Sequence, residues 1–123
     1  MANEISVSAE LKLNNGLLTD SRRASAIRSD QTTQASIGGI QTIGTSAEVV
    51  TYGDVATPRQ CYIRNLDATN FVEIGIDVAA TFYPIAKLSP ASEPLLITIA
   101  DSVVLYAQAD TASVSIDKLI LDE

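Results

Sequence analysis

The feature that most constrains this chain is the period-two pattern of its central stretch, Arg59 to Asp77. Val72, Ile74, Ile76 and Val78 fall on one side of an extended segment, and Phe71, Glu73, Gly75 and Asp77 on the other. That alternation marks a half-buried β-strand. In the segment before it, Cys61 and Ile63 alternate with Tyr62, Arg64 and Leu66. Asp67-Ala68-Thr69-Asn70 lies between the two, with short side chains that bond their own backbone, so the stretch is expected to be a hairpin.

Further strands follow from the same signal. Ile5, Val7, Ala9, Leu11 and Leu13 alternate with polar residues up to the turn Asn14-Asn15-Gly16. Strands are also expected over 47–52, over 81–88, over 94–100, over 102–108 and over 113–122. Pro84 has no N–H to donate, which places its strand at a sheet edge or at a bulge. From residue 47 onward strands recur every eight to twelve residues, with no helix of useful length between them. The expected fold is all-β, an antiparallel β-sandwich or a jelly-roll-like barrel. Residues 1–45 form an N-terminal strand and an extended arm of the same fold, and residues 46–123 the sandwich body. Thr19 to Thr45 lacks apolar periodicity and reads as the arm, with short extended pieces near 24–27 and 40–43. A short helix capped by Asp20 is the alternative.

Composition limits what such a body does. The chain has no histidine and one cysteine, so the usual general base, the usual metal ligand, a zinc cluster and an intrachain disulfide are all missing. No catalytic residue, cofactor or metal site is expected. Gly39 and Gly44 have the gap of a phosphate loop, but Thr45 stands where its lysine belongs. Asn65, Asp67 and Asn70 offer oxygens at a turn without the spacing of a calcium loop, and turn hydrogen bonding is the simpler reading. A net charge of −7 argues against a phosphate backbone as partner. The N-terminus has no basic, apolar leader and no run reaches membrane-spanning length, so synthesis in a cytoplasm is expected.

Two groups of residues are candidates for binding a protein partner. Arg22, Arg23 and Arg28 sit in the arm of an otherwise acidic chain. Leu119, Ile120 and Leu121 are consecutive in the last strand, which makes it apolar on both sides. Such a strand is buried twice, either within its own domain or against another subunit.

The segments IQTIGTSAEVVTYGDV, IRNLDATNFVEIGID, FYPIAKL and LYAQAD resemble those of small structural proteins of tailed, double-stranded-DNA bacteriophages. The likeness runs from about Gly39 to the C-terminus. It implies a non-enzymatic virion protein, a capsid decoration or cement protein on the outer shell, commonly a trimer. The implied partners are the major capsid protein and copies of the chain itself. A tail, neck or fibre component is the alternative within that resemblance. A carbohydrate-binding jelly roll is a further alternative from another class, against which the absence of tryptophan counts.

Overall fold

The structure, a computed structural model, describes residues 4–32 and 35–123. Met1, Ala2 and Asn3 lie outside the described residues, as do Thr33 and Gln34 at the end of the polar run. The chain divides into two compact units, Met1–Thr33 and Gln34–Glu123. Among the described residues the ordered elements are all strands, and every pairing is antiparallel.

The first unit is a β-hairpin of β1 (Ile5–Asn15) and β2 (Leu18–Ser29). Asn15 pairs with Leu18, leaving Gly16-Leu17 as a two-residue loop. Gly16 has φ +59°, at the position where a type II′ turn requires positive φ. Over its first part, residues 19–29, the arm expected from Thr19 to Thr45 is therefore replaced by a single long strand, and the helix alternative is absent. The reason the sequence hid it is a β-bulge. Val7 pairs with Ile27 but Ala9 pairs with Ala24, so Ser25 and Ala26 together oppose Ser8. The extra residue shifts the alternation of β2 by one, and a constant period of two is lost across it. Ala26 takes φ +50°, and its N–H donates to Ser8 Oγ at 2.8 Å.

The second unit is a β-sandwich of two open four-stranded sheets, with no closed barrel. One sheet has the order β3-β10-β5-β8 and the other β4-β9-β6-β7. These strands are β3 (Ser36–Ile43), β4 (Glu48–Val49), β5 (Pro58–Asn65), β6 (Val72–Val78), β7 (Thr81–Leu88), β8 (Leu95–Thr98), β9 (Tyr106–Ala109) and β10 (Val114–Asp122). The boundary between the units falls ahead of β3, not at residue 45, because β3 completes the first sheet through eight paired positions with β10.

The central stretch is not a hairpin. β5 pairs with β10 and β8, whereas β6 pairs with β7 and β9. The Asp67–Asn70 turn carries the chain from one sheet to the other. Alternation reports which side of a strand is buried but not which strand lies beside it, so a sheet-to-sheet crossing and a hairpin look alike in sequence. Both readings of Pro84 hold. β7 is an edge strand, and its pairing shifts register where Gly75 opposes Pro84.

The two sheets enclose one apolar core. Ile43, Val50, Ile63, Val72, Ala107, Val114, Ile116 and Ile120 are wholly buried, joined by Cys61, Ile74, Leu105 and Ile99. Each such aliphatic side chain contributes about 1.5–3 kcal/mol on burial, which is what holds the sheets together. One polar side chain ties them across the crossing. Asn65 Nδ2 donates to the carbonyls of Asn70 and Leu88 at 2.9 Å each, and its Oδ1 accepts from the Asp67 N–H at 2.8 Å. An Asn65→Leu variant removes all three hydrogen bonds, the one to the Leu88 carbonyl buried and the other two part-buried. It is expected to lose about 2–4 kcal/mol in urea unfolding; a loss under about 0.5 kcal/mol would show that the clamp is dispensable.

Candidate interaction surfaces

The hairpin presents two chemically distinct sides. Pairing and the bulge bring Ile5, Val7, Ala9, Leu11 and Leu13 of β1 onto the same side as Leu18, Ala24 and Ile27 of β2. Ser6, Ser8, Glu10, Lys12 and Asn14 share the other side with Thr19, Ser21, Arg23 and Arg28. The bulge is what makes this separation work. Without the extra residue, Ile27 would face the polar side. Much of the apolar row is open to solvent, with Leu11 79%, Leu18 63% and Ile27 61% exposed. A two-stranded hairpin is marginal in water by itself, and a third strand or a covering layer is what gives such a sheet independent stability.

The three candidate arginines all lie on β2 but do not form one cluster. Arg22 is on the apolar side and pairs with Asp20 at 2.5 Å. Arg23 is on the polar side, where Nε lies 3.8 Å from Glu10 across the hairpin. Arg28 is also on the polar side, opposite Ser6. Two of the three are matched by acids of their own hairpin.

The last strand is likewise divided between two sides. Ile120 points into the core and is fully buried. Leu119 and Leu121 point the other way, with Leu119 44% exposed. Gly38, Leu119, Tyr62 and Leu96 lie directly opposite one another on β3, β10, β5 and β8. They make an apolar row across the outer side of that sheet, and Leu96 is also exposed. The doubly apolar strand is thus buried on one side within its domain and open on the other.

Sequence reasoning missed two polar residues on the inner side of β10. Lys118 and Asp122 keep the phase of Val114, Ile116 and Ile120, so alternation alone placed them inward. Lys118 Nζ donates to Gln41 Oε1 at 2.8 Å and to the Thr51 carbonyl at 2.7 Å, and also to Thr51 Oγ1. Burial lowers its pKa from the usual lysine value. Asp122 Oδ1 accepts from the N–H groups of Thr57 and Glu123 at 3.0 and 2.9 Å, which fastens the end of β10 to the segment before β5. Arg59 adds a partly exposed ion pair to Glu123 at 2.8 Å. These contacts are structural: the Lys118 ammonium is spent on Gln41 and Thr51.

The turn oxygens are committed as well. Asp67 Oδ2 accepts from the N–H groups of Asn70 and Thr69 at 2.6 and 2.9 Å, and those backbone bonds lower its pKa. Among the described residues no group of three His, Cys, Asp or Glu side chains is placed to hold a metal ion. No helix among them is long and apolar enough to cross a membrane. No protein-family model matches the chain, and comparison with curated proteins and with solved structures likewise gives no match.

Proposed function

We propose that the chain is a non-enzymatic structural protein of a tailed-phage particle, a decoration or cement protein that binds the outside of the assembled head. The observation that carries the reading is the hairpin: an ordered two-stranded sheet whose long apolar row is exposed. An element of this kind is favoured when a neighbour covers it. The sandwich supplies a rigid body, and the outer row of Leu119, Tyr62 and Leu96 is a second apolar surface of the same sort. The phage assignment rests on the resemblance of residues 39 onward.

Mechanically, the reading needs no catalytic step. A subunit that binds only the assembled shell stabilises that state by mass action, and symmetry repeats each weak contact many times over. The test is to delete the gene from the phage and heat the particles. Heads lacking the protein are expected to burst at lower temperature than wild type, with hundreds of copies found per wild-type particle. Unchanged heat stability together with a few or a dozen copies would instead favour a tail, neck or fibre position.

A further inference from the structure

We propose that β1 pairs edge to edge with β1 of a second copy of this chain, antiparallel about a two-fold axis at Leu11; this rests on the structural reading above and names one of its partners. Four strands, two from each copy, then form one sheet in which the apolar rows of the two β1 strands adjoin, flanked by the Arg22–Asp20 pairs of β2.

The first argument comes from the edges. Exposed strand edges invite pairing, and proteins blunt them by shortness, proline, bulges or charged side chains, while glycine weakens a strand. All four edges of the sandwich are blunted. β4 has two residues and β8 has four. β7 contains Pro84 and the register shift beside it. β3 contains Gly38 and Gly39, the latter at φ +120°. Within the hairpin, β2 has the bulge and all three arginines. β1 has none of these devices except charge. It is eleven residues long, with no proline, glycine or inserted residue, and carries two charges, Glu10 and Lys12. Among the described residues its other edge pairs with nothing.

Charge selects the partner and the register. The hairpin unit has four basic and four acidic residues, whereas the rest of the chain has four basic and eleven acidic. Two sandwich bodies therefore repel, and two hairpins do not. When Leu11 faces Leu11 of the second copy, Glu10 lies opposite Lys12 and Lys12 opposite Glu10. Ala9 then meets Leu13, and Ser8 meets Asn14. Sliding by two residues one way sets Glu10 against Glu10, and the other way sets Lys12 against Lys12. Sliding by one puts the apolar row against the polar row. On the polar side the favoured register also continues the existing Arg23–Glu10 contact into a row of alternating sign.

The purified full chain is expected to sediment as a dimer or a multiple of one. Glu10→Lys and Lys12→Glu each create like-charge pairs at both symmetric positions and are expected to weaken association about tenfold or more. The double variant, Glu10→Lys with Lys12→Glu, restores opposite pairs and is expected to restore association. Leu11→Cys is expected to form an intersubunit disulfide faster than Leu17→Cys at the loop. Cys61 is buried and does not compete. A monomeric wild type, association indifferent to either reversal, a double variant that stays dissociated, or a Leu11→Cys chain that links no faster than Leu17→Cys would each overturn the pairing. Heat-stable particles lacking the protein would overturn the cement reading instead and leave this result standing.

Discussion

A Gly75→Ala protein is expected to be severely destabilised, with much of it recovered as unfolded or aggregated chain. Gly75 lies on β6 where the register shift brings β7 close. A Cβ at this position would lie 2.0 Å from the Tyr83 carbonyl oxygen and 2.8 Å from both Pro84 Cα and Tyr83 C. All three are backbone atoms, so no side chain can turn aside to make room. Relief requires lifting β7 from β6. That breaks ladder hydrogen bonds along an edge strand and draws Leu88 out of the core. Overpacking a core by a methyl group costs about 1–3 kcal/mol when side chains can give; against fixed backbone about 3–5 kcal/mol is expected. A domain of this kind has about 5–15 kcal/mol in all, so the substitution removes a large part of it. Urea unfolding of whatever soluble protein is recovered measures the effect. A soluble variant within about 1 kcal/mol of wild type would show that β7 moves freely.

The same position shows how far the sequence reads. Pro84 announced an edge or a bulge, and it has both. It did not reveal that the bulge presses its Cα onto Gly75, because that depends on which strand pairs with β7. The inward phase of β10 was legible from Val114 and Ile116, and it places Lys118 and Asp122 inside; the three acceptors around the Lys118 ammonium come from Gln41 and Thr51, far away in the chain. β2 was illegible for a local reason, the phase shift at Ser25 and Ala26. Among the candidate partner residues, Leu119 and Leu121 are on an open side as a partner surface requires, while Ile120 belongs to the core. The arginines share a strand, but alternation of side chains across it splits them. Periodicity therefore gave strands and inner sides, and long-range pairing decided everything built from two strands at once.

Alkaline solution is expected to destabilise the wild-type chain through Cys61, and a Cys61→Ala chain much less steeply. Burial raises the thiol from 9.0 to about 12, with the Lys118 ammonium opposing the shift. Below pH 9 the thiol is protonated in both folded and unfolded chains, so its contribution is fully present. Above it the unfolded chain releases the proton while the folded chain holds it, and stability falls until the folded thiol ionises near 12. Three pH units of this imbalance amount to about 4 kcal/mol. Lys118 acts in the opposite direction. Its folded pKa is lowered, so the penalty of its buried charge is complete below that value and fades as pH rises toward the ordinary 10.5. Tyr52, raised by burial, adds loss above about pH 10. Lys118 and Tyr52 remain in the Cys61→Ala chain, and both sense the Cys61 charge, so the difference between the two proteins reports the thiol together with its coupling to them. The cavity left by alanine lowers the variant's curve at every pH without changing its slope. Between pH 8 and 11, wild type is expected to lose about 2–3 kcal/mol more than the variant in urea unfolding. Parallel curves over that range would mean that the thiol reaches solvent in the folded chain, and that β5 does not seal the core at Cys61.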